Sequence, residues 1–176
     1  MTSVRRSGAW SVENFPSSCR SALRTACEAL VLVALLAGCA TALGRDLRFE
    51  VVAQGQFARD AQAPALGVAV DAEGRARLER AVGRPLPGDV LVAVFQGTQR
   101  TGGYSVTVDR VHLEEDTLTV GATFVRPGRD AIVTQVITSP FAVVRVARQD
   151  LPMARLHVLL RDADGKVIAL EEADLR

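Results

Sequence analysis

The pattern of hydrophobic and polar positions predicts a chain built mostly of short strands. Val90–Phe95 is apolar at every position, as expected of a central strand that is covered on both faces. Residues 104–111 and 117–125 alternate apolar and polar side chains, which predicts strands with one buried face. The same reasoning predicts further strands at residues 47–53, 132–138, 141–147, 155–160 and 166–170.

One segment has the spacing of a helix. Residues 72–82 repeat apolar side chains at helical intervals, with Asp71 placed to cap the first turn and Gly83 to end the last one. We therefore predict an α+β domain that is mainly antiparallel β, either a sandwich or an open barrel, with one helix near its start. Its predicted core consists of Val92, Val94, Tyr104, Val106, Val108, Leu118, Val120, Phe124, Val136, Phe141 and Val143.

The N-terminal region has the layout of a bacterial lipoprotein signal. Residues 29–37 form an unbroken apolar run, with four arginines ahead of it and the lipobox Leu36-Ala37-Gly38-Cys39 at its end. This run is shorter than the ~20 apolar residues that span a bilayer, so a transmembrane anchor is the weaker interpretation. We predict a signal peptide at residues 1–38, a lipid on Cys39, a tether at residues 39–46 and a single domain at residues 47–176.

This signal predicts where the protein acts. A lipid on Cys39 anchors the chain to the cell envelope, and Ala40, which is not an aspartate, favours the periplasmic face of the outer membrane in a host with two membranes. The chain has 21 basic and 20 acidic residues, of which residues 1–38 hold four Arg and two Glu, so cleavage leaves 17 basic and 18 acidic residues. With a net charge of −1 and no basic cluster, we do not expect nucleic-acid binding.

Few residues of the predicted mature domain suit catalysis or metal binding. The three cysteines all lie within residues 1–39, so no disulfide, thiolate metal site or cysteine nucleophile is expected after cleavage. His112 and His157 lie in predicted strands without a cysteine or carboxylate pair at ligand spacing. We interpret the acidic residues 114–116 and 162–164 as hairpin turns. The expected protein is therefore non-enzymatic, with no catalytic residue, metal or cofactor.

The connection at residues 96–103 is more distinctive than a hairpin requires. It leads into Thr101-Gly102-Gly103-Tyr104, where glycine can adopt positive φ. Tyr104 is expected to begin the next strand with its ring on the core face and its hydroxyl close enough to bond the loop backbone. Two interpretations stay open: these residues only fold the loop, or the loop binds a partner.

Three segments carry a resemblance to a known family. Residues 90–97 (VLVAVFQG), 101–106 (TGGYSV) and 134–141 (TQVITSPF) resemble the C-terminal domain of the protease complex subunit PrcB family. The resemblance covers residues 48–148, and residues 151–176 form an added hairpin. It implies a lipoprotein or secreted accessory domain that assembles with a surface protease, and it assigns no catalytic residues.

A second resemblance implies a different function. Chagasin-like inhibitors of cysteine peptidases are sandwiches that present an N-P-T-T-G-Y/F loop and an R-P-W loop to the peptidase cleft. Residues 100–104 (RTGGY) and 124–128 (FVRPG) are similar to these loops in sequence position, although the Asn-Pro and the Trp are absent. An inhibitor of this kind is the alternative to an assembly module.

We therefore predict an envelope-anchored, non-enzymatic lipoprotein that acts as a protein-binding or assembly module, accessory to a peptidase. Its expected partners are the membrane, through the lipid on Cys39, and a protein. Loops at one end of a sandwich lie close together, so the expected binding edge combines the loop at residues 96–103 with the turn at residues 126–130, whose arginines would bond carboxylates or carbonyls of the partner. The candidate binding residues are Arg100, Thr101, Gly102, Gly103, Tyr104, Arg126 and Arg129.

Overall fold

Two β-sheets, one α-helix and a short 3₁₀-helix (Arg148–Asp150) are the regular elements of the described residues. The computed structural model describes residues 44–59 and 61–176. The strands are β1 (Arg45–Asp46), β2 (Phe49–Gly55), β3 (Ala65–Ala69), β4 (Val90–Phe95), β5 (Ser105–Glu114), β6 (Thr117–Val125), β7 (Phe141–Val146), β8 (Arg155–Arg161) and β9 (Val167–Asp174), and the helix is α1 (Ala72–Val82).

The strands are arranged as a sandwich. The first sheet has the order β1-β5-β6-β8-β9 and the second the order β2-β7-β4-β3. Neighbouring strands are antiparallel except β6 and β8, which run parallel. The sheets do not close into a barrel, so the predicted α+β fold is confirmed in its sandwich form.

The second sheet is covered on both faces, which gives the domain three layers. One face of β4 contributes Val92 and Val94 to the core between the two sheets. The opposite face contributes Leu91 and Ala93, which pack with Leu78 of α1. β4 is therefore buried on both faces, as its continuous apolar sequence predicted, since such a strand has no exposed position for a polar side chain.

Residues next to its two ends determine where α1 begins and ends. The Asp71 carboxylate accepts a hydrogen bond of 2.7 Å from the backbone N–H of Gly74, and Gly83 ends the helix with φ 71°. Gly74 is buried, and a Cβ added to it would lie 3.1 Å from the Cα of Ala69. Glycine at this position therefore lets α1 approach β3 closely.

Three expectations from the sequence were wrong. Residues 132–138 do not form a strand, and Val136, assigned to the core, is 42% exposed. Strand β5 begins at Ser105, and Tyr104 is half-buried outside both core clusters. The segment after residue 131 has no strand to pair with, because β7 already lies between β2 and β4, and the loop beside it makes only three backbone hydrogen bonds with residues 134–138.

The predicted signal peptide and lipidated Cys39 lie outside the described residues. At the end of the predicted tether, Arg45–Asp46 form β1, which pairs with Leu113 and His112 of β5. Among residues 44–59 and 61–176, no helix is both long and apolar enough to cross a membrane.

Candidate functional site

The connections of the sandwich lie at two opposite ends. One end, here called the loop end, comprises residues 56–59, 61–64, 96–104, 126–140 and 162–165. The other, the tether end, includes Gly44 and the turn at residues 115–116. Strand β5 runs from the first to the second, and its ten residues span about 30 Å.

The two motifs that carried the family resemblance meet at the loop end. Gln99 and Thr138 exchange both backbone hydrogen bonds, at 2.7 and 2.9 Å. The Thr138 hydroxyl donates to the Thr101 carbonyl at 2.9 Å, and the Gly102 N–H donates to the Thr134 carbonyl, also at 2.9 Å. The threonines of the TGGY and TSPF sequences are therefore joined in space although they are far apart in the chain.

Buried polar side chains support these loops from beneath. Among the described residues, the buried polar side chains are Gln96, Thr138 and Ser139, and all three lie at the loop end. The Ser139 hydroxyl donates to the Ala61 carbonyl at 3.2 Å, and the Gln96 side-chain amide donates to the Val125 carbonyl at 3.0 Å. Most buried polar groups in proteins are hydrogen-bonded, and these bonds stabilise the positions of the loops.

Two further amides close an open edge of the first sheet. Strand β1 covers β5 only at Leu113 and His112, which leaves the start of β5 without a neighbouring strand on that side. The Gln54 and Gln56 side chains cross from the second sheet and donate to the carbonyls of Val106 and Tyr104, at 2.9 and 3.0 Å. This part of the edge is therefore already occupied.

A cavity of about 470 Å³ opens between the loops and the turn that joins β8 to β9. Gln96 lines it, and the side-chain Oε1 of this buried residue has no hydrogen-bond partner among the described residues. Arg126 also lines it, and lies across from the turn carboxylates without forming an ion pair with them. The charged and polar residues of the wall include Gln62, Gln99, Thr123, Arg126, Asp162 and Asp164.

The structure brings the predicted loop and turn together. Gly103 has φ 85°, and a Cβ added to it would lie 3.1 Å from both the Pro127 Cβ and the Val133 Cγ1. Gly102 is buried against the Thr134 side chain. These two glycines therefore have a structural role, because a larger residue would separate the loop from the turn.

The other predicted binding residues divide into two groups. Thr101 contributes its carbonyl to the fold of the loop, and Tyr104 its carbonyl to the bond with Gln56. The expected bond from the Tyr104 hydroxyl to the loop is not formed among the described residues. Three arginines are exposed without an ion pair within that part of the chain, and so remain available to a partner: Arg100, Arg126 and Arg129.

The sequence interpretation missed an exposed apolar segment beside these arginines. Residues 132–137, here called the edge segment, include Ile132 at 103% exposure and Ile137 at 69%. Phe57, at 65% exposure, lies next to Ser139 through a parallel bridge. The apolar pattern of the edge segment predicted a strand with Val136 in the core, whereas its isoleucines are exposed.

A polar cluster that the sequence did not predict lies at the tether end. The Asp46 carboxylate accepts from the Arg110 Nε at 2.6 Å and lies 2.7 Å from the His112 Nδ1. These hydrogen bonds, from Arg110 first and His112 second, hold the pKa of the Asp46 carboxyl below its usual value. The strand pairing of β1 with β5 joins residues 66 positions apart, which no local spacing could reveal. Among the described residues, no group of His, Cys, Asp and Glu has the arrangement of a metal site.

Together the fold and the loop end define a β-sandwich domain with an exposed loop surface at one end. Residues 90–147 match the PrcB C-terminal family model, which confirms the resemblance to that family. The match begins at β4 and contains both loop motifs, whereas residues 48–89, over which the resemblance was expected to extend, lie outside it. This match suggests association with a protease complex. The PrcB family is an accessory subunit of such a complex and not a catalytic one. No curated protein and no solved structure gives a significant match to the chain.

Proposed function

We propose that the chain is an envelope-anchored, non-enzymatic lipoprotein that binds or assembles a partner protein and is accessory to a peptidase. The observation that carries this proposal is the separation of the two ends. Cys39 precedes Gly44 by five positions, and Gly44 lies against His112 near the end of β5. A lipid on Cys39 would attach the domain to the membrane through its tether end, and the loop end lies at the opposite end of β5.

The exposed arginines support a binding role for that end. Arg100, Arg126 and Arg129 have no ion pair within the described residues, so bonds to a partner would replace only contacts with water. Charge-assisted hydrogen bonds from guanidinium groups are stronger than neutral ones. Because Gly102 and Gly103 build the loop, their substitution would test folding, and the arginines are the better probes of binding.

Crosslinked co-purification from the envelope tests this role. The double variant Arg100→Ala/Arg126→Ala should recover less of the partner while its melting temperature stays within about 1–2 °C of the parent, since exposed substitutions change stability by less than about 0.5 kcal/mol. The matched control is Arg48→Ala/Arg77→Ala, which removes two exposed arginines, one just before β2 and one on α1, both outside the loop end. Equal recovery by both double variants would place the binding surface elsewhere.

The lipid anchor has its own test. Cys39→Ser removes the acceptor thiol, so the chain should leave the membrane fraction and appear in the soluble one. Unchanged partitioning of the variant would contradict the anchor, and it would leave the arginine experiment to decide the binding role independently.

One contact favours the alternative, a chagasin-like inhibitor of cysteine peptidases. Gly103 of the TGGY loop packs against Pro127 of the Arg126-Pro127 turn, so two segments of the kind that such inhibitors insert into a peptidase lie side by side. An inhibitor should block a papain-type enzyme at stoichiometric concentration. An assembly module should leave the free enzyme fully active and co-purify only with its own partner.

A further inference from the structure

We propose that the edge segment, residues 132–137, receives an extended segment of the partner protein as an added β-strand. This proposal rests on the proposed function, which supplies the partner protein, and it specifies how that partner binds. Within the described residues, the only backbone hydrogen bond made by the edge segment is the one from the Gly102 N–H to the Thr134 carbonyl. None of its six N–H groups donates to a described acceptor.

The direction of these groups follows from the two places where the chain is held. Thr134 and Thr138 turn backbone groups towards the loop at residues 99–102. Thr134 and Thr138 are four positions apart and face the same side, which fits the period of two of an extended chain. On that period we infer that the backbone groups of Val133, Gln135 and Ile137 are directed away from the loop. They form an open edge with the alternation that strand addition requires.

The side chains of the edge segment suit a strand-like partner. Ile132 is 103% exposed, Ile137 69% and Val136 42%. Single exposed apolar residues are common on protein surfaces, but here three of them lie on one unpaired edge of six residues, which is the typical feature of an association site. At the start of β5, by contrast, Gln54 and Gln56 cover the open edge.

Charge identifies the kind of segment that fits. Arg129 lies before the edge segment, and Arg100 lies beside its other end, because Gln99 pairs with Thr138. Asp130 is the one acidic residue in this part of the described chain, across residues 96–103 and 126–137. A partner segment with apolar residues at its centre and acidic residues at its ends would therefore complement the edge. A second copy of this chain, paired antiparallel, would bring Arg129 of each copy towards Arg100 of the other, which like charges oppose.

A synthetic probe tests the proposal without knowledge of the natural partner. The probe is a nine-residue peptide with two glutamates at each end and five alternating valines and threonines between them. Its control has lysines in place of the four glutamates. Binding to the full chain purified in detergent would be measured by calorimetry. The glutamate probe should bind at least about tenfold more tightly than the lysine probe, and Arg100→Glu/Arg129→Glu should reverse that order.

A backbone substitution separates strand addition from side-chain contacts. Gln135→Pro removes an exposed N–H that has no described partner, whereas Gln135→Ala removes the side chain and keeps the N–H. Gln135→Pro should weaken binding of the glutamate probe about tenfold, because one hydrogen bond is lost and the ring obstructs the added strand, while Gln135→Ala should bind as the parent does. Both variants should keep the parent melting temperature within about 2 °C.

Three outcomes would overturn the proposal. The first is equal binding of the two probes, or no binding of either. The second is a parent chain that dimerises in analytical ultracentrifugation and loses the dimer on Gln135→Pro, since a second copy would then occupy the edge. The third is undiminished recovery of the natural partner by Gln135→Pro in envelope co-purification; strand addition would then fail while the assembly role stands. If the parent recovers no partner at all, the proposed function fails, and the probe alone decides whether the edge accepts a strand.

Discussion

Strand β4 and the edge segment have similar sequences and opposite environments. Both are short runs rich in valine or isoleucine, with a high propensity for β structure. In β4 every residue is buried, with strands on both sides and layers on both faces. In the edge segment Ile132 and Ile137 are exposed, and only one described backbone hydrogen bond holds the chain.

This difference shows what apolar β-prone sequence alone can establish. Composition predicts that a segment can form a strand, whereas the neighbouring positions in the fold decide whether it has a partner. The two neighbours of β7 are β2 and β4, so the edge segment, which leads into β7, has no place in that sheet. An apolar run left at such a position is available for contact with another chain.

The largest expected effect comes from comparing a truncation in each region. Leu91→Ala, at a fully buried position between the second sheet and α1, should lower the free energy of unfolding by about 2–5 kcal/mol. Ile132→Ala should change it by less than about 0.5 kcal/mol. Chemical denaturation measures both; a comparable loss in the two variants would mean that the edge segment is packed as a strand.

The next effect tests how the two motifs are joined. Thr138→Val keeps the shape of a buried side chain but removes its hydrogen bond to the Thr101 carbonyl, and should cost about 1–2 kcal/mol. Thr134→Val makes the same change at an exposed position, and should stay within about 0.5 kcal/mol of the parent. If denaturation finds no difference between them, the Thr138 hydroxyl does not hold the loop.

Two glycines of the loop end should respond differently to substitution by alanine. Gly103→Ala places a Cβ at φ 85° and within 3.1 Å of Pro127, so it should destabilise the domain by about 1–2 kcal/mol. Gly128→Ala meets nothing within 4 Å and should be neutral or slightly stabilising. Thermal unfolding compares the two, and equal melting temperatures would contradict a structural role for Gly103.

The smallest effect concerns pH and the tether end. The pKa of the Asp46 carboxyl is lowered from its ordinary 3.8 by hydrogen bonds from Arg110 and His112, so its contribution to stability is present above that value and is lost as pH falls through the folded-state pKa. Asp46→Asn should therefore differ from the parent in melting temperature at about pH 6, and the difference should disappear as pH falls through the folded-state pKa. The difference should be small, because the carboxylate is exposed. In an Arg110→Ala background this pH dependence should shrink; an undiminished dependence would assign the shift to another group.

Some features of this protein were determined by the sequence alone, because their signals lie within a few residues of one another. Asp71 and Gly83 bound α1 as predicted, since a cap and a left-handed residue act on the adjacent turn. The turns at residues 115–116 and 162–165 form hairpins for the same reason, with Glu115 at φ 53° and the Asp162 carboxylate accepting from the N–H groups of Asp164 and Lys166. The apolar pattern of β4 predicted burial on both faces. The segments at residues 90–97, 101–106 and 134–141 predicted the resemblance to the PrcB family, and the family model matches residues 90–147.

Only the tertiary structure decided which distant segments meet. The parallel pairing of β6 with β8, the bond between Thr138 and Thr101, and the contact of Asp46 with His112 join parts of the chain that share no local signal. The same holds for Tyr104 and Val136, whose apolar character suggested a core position that their neighbours do not provide. Hydrophobic patterning determines which side of a strand is buried, but backbone hydrogen bonds with a neighbour determine whether a strand forms at all. That neighbour is supplied by the fold, so the open edge at residues 132–137 became visible only in three dimensions.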